Sequence, residues 1–309
     1  MDKYFVSRRA GLGRFLEKRR DSFDASVMQT EDLTSVVLKT AGLNSKQTTQ
    51  FLESMLVSLC SQIDSLIVDT AIEIGNCFPR LVLKKESSFA TLEVIENMLI
   101  SKLVEDKIES FFYSLGYKKF SESIAVINTC FGISSFDPTQ VTEIADLRAA
   151  RDILVHNNGI INETYLRKAI NPLGRAGDRF NITEKFISTA VASTKSFADE
   201  YEKKVLSKYY KFKRVQAFRD MWENSKLQAS SGVKFDEVWE IDSAKEDMVR
   251  PIKTFSWAWS GSEQLMFDFL GSIYSGSGQV DYRRLLERWS IDDGGGEIVI
   301  SWLMHPFSF

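Results

Sequence analysis

Apolar residues recur at steps of three and four through most of the first two thirds of the chain. Between residues 47 and 75, for example, Phe51, Met55, Leu59 and Ile63 follow one another at one-turn spacing. Residues four apart lie on the same face of an α-helix, and such a face is usually buried against neighbouring elements. The pattern therefore predicts a helical bundle. The predicted helices span residues 47–75, 89–112, 120–131, 138–156 and 183–224, the last with room for a break.

The predicted helix at 138–156 has cap residues at both ends. Asp137 is a favourable N-cap, Pro138 suits the first helical position, and Gln140 is placed to bond back to the cap. Residues 157–159, Asn-Asn-Gly, tolerate the left-handed backbone that ends many helices. We therefore expect this helix to begin after Asp137 and to end near His156.

The pattern changes in the last quarter of the chain. Five of the six tryptophans fall there, and 13 acidic residues outweigh 7 basic ones. Residues 238–241 and 297–302 are short apolar runs of the kind found in strands, and residues 281–289 have the spacing of a short helix between them. A mixed α/β segment is therefore expected.

These changes predict three parts of the chain. A basic N-terminal helical extension occupies residues 1–44, a helical bundle residues 45–229, and a small Trp-rich, acidic, mixed α/β domain residues 230–309. Trp257 and Trp259 are two apart, so they share one face of a strand, where core packing or a partner surface would each account for them. The expected fold class is mainly α, with a small C-terminal α/β domain.

Composition limits the classes of protein to which the chain can belong. Its 309 residues are 44% hydrophobic, enough for a globular core, and the formal net charge of −3 gives no overall reason to bind nucleic acid non-specifically. Three cysteines without a C-x-x-C pair indicate a reducing compartment. With no leader pattern and no apolar run of about 18 residues, a cytoplasmic protein without a membrane span is expected. No phosphate-binding loop, dinucleotide fingerprint or zinc-ligand spacing occurs, so neither a cofactor nor a metal is expected.

One arginine lies where a plain amphipathic helix would not place it. On an ideal helix Arg151 falls within the apolar stripe, and a guanidinium there must pair with a carboxylate or face a polar cleft. His156, one of only two histidines, lies at the edge of that stripe in the last turn. A structural interpretation pairs Arg151 with Asp146, Asp152 or a neighbouring helix. In that interpretation His156 bonds to a carbonyl oxygen, and the following asparagines form the cap and the turn.

Residues 151–159 resemble the signature of the HEPN superfamily (higher eukaryotes and prokaryotes nucleotide-binding). The shared features are an Arg, a polar residue directly after it, a few mostly apolar positions, a His, and an Asn-Gly turn. The resemblance covers about residues 45–205 and implies that family's helical bundle. It also implies a metal-independent endoribonuclease, often a toxin or an anti-phage defence effector, that works as a homodimer with two motifs facing one cleft.

The resemblance assigns catalytic roles to Arg151 and His156. A neutral His156 would take the proton from an RNA 2′-hydroxyl, and Arg151 would stabilise the charge on the attacked phosphate, leaving 2′,3′-cyclic phosphate ends. Asp152 would orient a basic group, and Asn157 or Asn158 would donate a hydrogen bond to phosphate. On one helix Arg151 and His156 lie about 140° apart, so one copy converges poorly and a two-fold composite site is expected.

Two basic clusters are candidates for RNA contact. The N-terminal cluster begins at Arg8, and the second interleaves lysines with aromatic residues near Tyr209. Such clusters suit a single-stranded RNA track, although solvated helix faces have the same composition. His305, beside a proline, is expected to be structural. The predicted RNA-binding residues are Arg148, Lys208, Lys211, Lys213 and Arg214.

Two other functions remain open. One is a non-catalytic HEPN-like module that holds a nucleotide or an RNA phosphate, and the other is a helical protein-interaction module whose Trp-rich domain is the active surface. An Arg151 that is paired and buried away from a cleft would favour the latter. The expected partners are an RNA substrate, a second copy of the chain, and a neutralising antitoxin or regulatory protein, with no membrane involved.

Overall fold

A computed structural model of the chain describes residues 5–40, 42–83, 100–225, 227–242, 249–251, 261–275, 280, 285 and 295–307. Of these residues 77% are helical, which confirms the mainly-α class. The helices are α1 (Leu12–Thr40), α2 (Ser45–Cys77), α3 (Ile100–Leu115), α4 (Phe120–Phe131), α5 (Pro138–His156), α6 (Glu163–Lys168), α7 (Glu184–Tyr201), α8 (Arg214–Asn224), α9 (Leu227–Ser231), α10 (Phe235–Val238), α11 (Gly261–Ser275) and α12 (Gly295–Met304). Two short strands, β1 (Trp239–Ile241) and β2 (Val249–Pro251), form one antiparallel pair.

The chain divides into two compact units. The first unit comprises Met1–Leu16, Glu73–Ile108 and Tyr209–Phe309, and the second comprises Glu17–Ile72 and Glu109–Lys208. All residues of the predicted motif lie in the second unit. The three-part division predicted from composition remains a prediction.

The predicted helices of the bundle are confirmed where the structure describes them. α2 contains the whole of the predicted helix 47–75, and α4 ends at Phe131 with Gly132 in the left-handed conformation. α3 accounts for the later part of the predicted helix 89–112, whose first part lies outside the described residues. The predicted break after α7 is present as a π-helical segment, Glu202–Leu206, and a single helical turn, Ser207–Tyr209, before α8 begins at Arg214.

Aromatic stacking fills the centre of the second unit. The rings of Phe136 and Phe197 stack with centroids 5.2 Å apart, and Tyr201 stacks on both. The Tyr201 hydroxyl lies 2.8 Å from the hydroxyl of Thr70, so this buried polar group is satisfied. α5 packs in this unit against α4, α6 and α7, which holds the predicted motif on a rigid frame.

α2 has the length and apolar content of a membrane span. A core helix of a globular protein can have the same length and composition as a membrane span. α2 buries Leu52, Leu56, Leu59 and Ile63 in the protein core. Its Asp64 is also held in ion pairs with two arginines. These contacts are those of a core helix.

The first unit has a core of its own, built around Trp222. Its indole packs edge to face against Phe235 and Trp239, with ring centroids 6.3 and 6.4 Å apart. α11 and α12 add Phe269 and Ile298, both fully buried. The burial of large aromatic side chains is the main stabilising contribution here.

The strand predictions for the last quarter of the chain had different outcomes. The predicted strand 238–241 is confirmed for Trp239–Ile241, which form β1 and pair Ile241 with Val249, whereas Val238 ends α10. The predicted strand 297–302 is wrong, because these residues belong to α12. A short apolar run is compatible with either structure, and Ile298, Val299 and Ser301 are buried at helical spacing. The predicted helix 281–289, apart from position 285, and Trp257 and Trp259 lie outside the described residues.

Candidate functional site

The N-terminal cap of α5 forms as predicted, with one change of partner. Asp137 accepts a hydrogen bond from the backbone N–H of Thr139 at 2.7 Å. Gln140 does not bond back to the cap, because its amide donates to the Ser196 hydroxyl at 2.8 Å. The Asp137 N–H donates instead to Glu200. Two residues of α7, Ser196 and Glu200, therefore replace the local capping box and fix the orientation of α5.

The C-terminal end of α5 also follows the prediction. The Ile153 carbonyl accepts hydrogen bonds from the N–H groups of Asn157 and Gly159, both at 2.9 Å. Asn158 and Gly159 have φ values of 52° and 74°, the left-handed region that asparagine and glycine tolerate best. The turn ends the helix directly after His156.

Arg151 makes two ion pairs, as its position in the apolar stripe predicted. Its Nη2 lies 3.0 Å from Asp64 on α2, and its Nη1 lies 3.2 Å from Asp152. The second oxygen of Asp152 is 2.9 Å from Lys168 on α6. Asp152 therefore holds a basic group, as expected, although Lys168 was not predicted to take part.

Arg148 shares the carboxylate of Asp64 with Arg151. Its Nε lies 3.1 Å from Asp64, and its guanidinium lies 5.2 Å from the centre of the Phe120 ring. Burial raises the pKa of the Asp64 carboxyl, and the charges of Arg148 and Arg151 oppose this rise. Arg148 is therefore paired with a carboxylate within the fold, and its predicted contact with RNA stays a prediction.

The sequence reasoning did not identify Asp64. The residue follows the buried Cys60 by one turn, so an acid lies at helical spacing on a buried face, and that pattern could have marked it. Burial, with a smaller contribution from Asp64, raises the pKa of Cys60 to about 12, so its thiol stays protonated. The Sγ–H of Cys60 lies 3.6 Å from the Leu147 carbonyl.

His156 is exposed at the end of α5. Within the part of the chain that the structure describes, its imidazole has no hydrogen bond or ion pair, so the carbonyl contact of the structural interpretation is not found. Arg151 is directed instead to its two carboxylates. The structure therefore places the two predicted catalytic residues on one helix without bringing them into contact within a single copy, as the angle between them predicted.

The two asparagines after His156 hold the turn. The Asn157 amide donates to the Ile160 carbonyl at 2.5 Å. The Asn158 carbonyl accepts from Arg179 at 3.1 Å, and Arg179 also pairs with Glu53 at 2.6 Å. Both residues thus have the cap and turn roles of the structural interpretation.

A polar cavity of about 530 Å³ lies beside the motif, lined by α2 and by the turn after α5. Leu154 and Asn158 form one wall, and Arg179 and Glu53 form another. Lys46, near the N-terminus of α2, also lines the cavity, is exposed, and has no ion-pair partner among the residues described. The cavity therefore offers polar donors close to His156.

The predicted lysine-rich cluster is divided between the two units, because Lys208 ends a segment of the second unit and the later residues belong to the first. The Lys208 ammonium donates to the Phe131 carbonyl at 2.7 Å, and Lys208 belongs to the second unit. Lys211 lies over the ring of Phe212, with its Nζ 5.5 Å from the ring centre. The other members of this cluster are Lys213, which precedes α8, and Arg214, which lines a cavity of the first unit.

Most of the N-terminal arginines form ion pairs within their own unit. Arg9 lies 3.1 Å from Asp220 and over the Phe78 ring, and Arg20 lies 2.6 Å from Asp199. These arginines therefore have structural partners, and contact of this cluster with RNA stays a prediction.

No match was found when the chain was compared with protein-family models, with curated proteins and with solved structures. Across the described residues, no group of three or more His, Cys, Asp or Glu side chains is arranged to hold a metal ion. Any functional assignment therefore depends on the motif and its surroundings.

Proposed function

We propose that the chain is a cytoplasmic, metal-independent endoribonuclease of the HEPN type that acts as a homodimer. The observation that carries this proposal is the exposed His156 at the end of α5, a helix that also carries Arg148 and Arg151. These two arginines form one polar network with Lys168. The three cations exceed the two carboxylates of that network, Asp64 and Asp152, by one charge. A residual positive charge on the helix that carries an exposed imidazole suits an RNA phosphate held between two copies of the chain.

In the proposed reaction His156 acts first as a general base. It takes the proton of an RNA 2′-hydroxyl, and the oxygen attacks the adjacent phosphorus. The 5′-oxygen of the next nucleotide leaves and takes up a proton, so the products are a 2′,3′-cyclic phosphate and a 5′-hydroxyl. Arg151 of the second copy stabilises the phosphoryl oxygens, which requires it to exchange its contact with Asp64 for the phosphate.

Cleavage by histidine variants tests this proposal. His156→Ala is expected to fold and dimerise but to lose cleavage of RNA in the presence of a chelator, because the general base is absent. His305→Gln is the matched control, since it changes the only other histidine, which lies in the first unit. RNA products with 2′,3′-cyclic phosphate ends are expected from the wild type and from His305→Gln, but not from His156→Ala. Full cleavage by His156→Ala would contradict the proposal.

A mixing experiment tests the composite site. If Arg151 and His156 come from different copies, a mixture of the two inactive variants Arg151→Ala and His156→Ala forms heterodimers with one intact site. Random exchange then restores about a quarter of wild-type activity. An active pair within one copy restores none, and that result would contradict the two-fold site.

The remaining parts of the proposal concern biological context. We infer a toxin or an anti-phage defence effector, restrained by an antitoxin or regulatory protein, with the acidic, Trp-rich C-terminal segment as a mixed α/β accessory domain. Loss of toxicity in host cells expressing His156→Ala, but not His305→Gln, is the expected result.

A non-catalytic module is the second candidate, and the ion pairs of Arg151 favour it. With Asp64 and Asp152 both in contact, Arg151 is neutralised within the fold. Such a protein would bind RNA or another protein without producing cyclic-phosphate ends. A wild-type chain that retains RNA in a filter assay but never cleaves it would support this candidate over the ribonuclease.

A further inference from the structure

The first unit contains a cavity of about 610 Å³ that the proposed ribonuclease site does not use. It lies between the start of α1, the end of α2, α3 and the residues after α12. Its charged walls come from Arg8, Arg14, Glu73, Glu105 and Arg214, and its remaining walls include His305, Pro306 and Phe307. A volume in this range is typical of small-molecule sites.

The walls of this cavity are held by buried contacts. The Ser7 N–H donates to the Ser301 hydroxyl at 3.1 Å, and the Ser7 hydroxyl donates to the Ser301 carbonyl at 2.6 Å. Gly13 packs directly against the backbone of residues 210–212. Its N–H donates to the Phe212 carbonyl at 2.9 Å, and a Cβ atom at position 13 would clash with the backbone carbonyl oxygen of Tyr210. The side chain of Arg14, the next residue, therefore starts from a fixed backbone.

The carboxylates of the cavity are already paired. Arg8 contacts both Glu73, at 2.9 Å, and Glu105. Arg14 and Arg214 also line the cavity, so the walls carry three arginines and two glutamates. Arg14 is exposed at the rim, and the described residues offer its guanidinium no ion-pair partner. The cavity thus has a cation available for an anionic ligand.

His305 supplies an unsatisfied polar atom on the same wall. Its Nε2 is buried and has no hydrogen-bond partner among the residues described. Burial and the nearby charge of Arg8 lower the pKa of His305, against the opposing charges of Glu105 and Glu73, so the ring is neutral at neutral pH. A neutral imidazole carries one N–H, which can donate to an oxygen of a ligand. A buried polar atom without a partner costs free energy, and a ligand oxygen would remove that cost.

These features define the chemistry of the ligand. A guanidinium and an imidazole from separate segments converge best on a group with several oxygens, such as a phosphate. The cavity is much larger than a phosphate ion, and Pro306 and Phe307 add an apolar wall where a planar ring can pack. We propose that this cavity binds a mononucleotide, with the phosphate held by Arg14 and His305 and the base against Phe307.

The paired glutamates make the site selective for a single phosphate. Glu73 and Glu105 keep the net charge of the walls low, so each further phosphate group is repelled by carboxylates that already have a partner. A nucleoside monophosphate is therefore expected to bind more tightly than the corresponding triphosphate. Inorganic phosphate lacks the ring and is expected to bind more weakly than both.

Calorimetric titration of the full chain with AMP, ATP and inorganic phosphate tests the site. Arg14→Gln and His305→Gln are each expected to weaken AMP binding, by about ten-fold or more for Arg14→Gln, the size of a charge-assisted hydrogen bond. Lys18→Gln is the matched control, because it removes one positive charge from the same helix at an exposed residue outside the cavity wall. This control is expected to bind AMP as the wild type does.

The results that would overturn the proposal are distinct. A folded wild type that does not bind AMP overturns it, as does an equal loss of affinity in Lys18→Gln and Arg14→Gln. Phosphate bound as tightly as AMP would exclude a nucleotide site. His156→Ala is expected to bind AMP unchanged, so this site and the ribonuclease proposal can fail separately.

Discussion

Replacing Asp64 by asparagine removes the one carboxylate that Arg148 and Arg151 share. The two guanidinium contacts are 3.1 and 3.0 Å long, and the side chains of Asp64, Arg148 and Arg151 are only 23%, 19% and 25% exposed. Asp64→Asn keeps the shape and one acceptor oxygen but not the charge. We therefore expect the free energy of unfolding to fall.

The magnitude of this loss follows from three contributions. Each charge-assisted hydrogen bond contributes about 1.5–3 kcal/mol. Burial by itself disfavours the ionised carboxylate of Asp64, and asparagine avoids this desolvation cost while it loses the contacts of a charged acceptor. Arg151 also retains Asp152, and Arg148 retains the ring of Phe120. The net loss is expected to be about 2 kcal/mol, between the values for exposed and buried ion pairs.

Equilibrium unfolding in urea, followed by circular dichroism, measures this loss. The control is Asp69→Asn, on the same helix, whose partner Arg19 is 41% exposed at 3.0 Å, and for which about 0.5 kcal/mol is expected. Both variants should retain the wild-type slope, since neither changes the surface exposed on unfolding. If Asp64→Asn loses no more stability than Asp69→Asn, the arginines do not depend on Asp64 and this reasoning is refuted.

Three other predictions concern the first unit and the thiols. Gly13→Ala is expected to cost about 2 kcal/mol in urea unfolding, because its Cβ would lie 2.4 Å from a backbone oxygen, whereas Gly11→Ala, with nothing within 4 Å, should cost nothing. The pKa of His305 is lower in the folded protein than in the unfolded chain. As the pH falls below 6.5, protons therefore bind the unfolded chain more readily, and acidification should destabilise the wild type more than His305→Gln. A thiol reagent should modify only the half-buried Cys130 in the native protein and all three cysteines after unfolding, and rapid native labelling of all three would contradict their burial.

The helices of the bundle could be predicted because their pattern is local. The steps of three and four residues that define α2 are set by the helix itself, and the stop after His156 depends on residues that tolerate a left-handed backbone. The prediction failed where a short apolar segment fits the two-residue period of a strand and the 3.6-residue period of a helix equally well. The segment 297–302 is helical because α12 buries its residues at helical spacing.

The partners of the predicted site could only be anticipated as a class. Position in the apolar stripe indicated that Arg151 needs a carboxylate, but the main one, Asp64, is 87 residues away in the sequence. Gln140 shows the same limit, since its expected bond to the cap is replaced by Ser196 on another helix. Local spacing therefore predicts what a side chain requires, whereas packing of distant helices decides which residue meets that requirement.

The contacts of Arg151 set stability and the proposed function against each other. While Asp64 is paired with Arg148 and Arg151, it competes with any RNA phosphate for the same guanidinium groups. Asp64→Asn should then bind RNA more tightly than the wild type although it is less stable, because the arginines lose a competitor. A structural role for Arg151 gives the loss of stability without the gain in affinity. Measuring both quantities on this one variant therefore separates contact of Arg151 with RNA from a purely structural role of this residue.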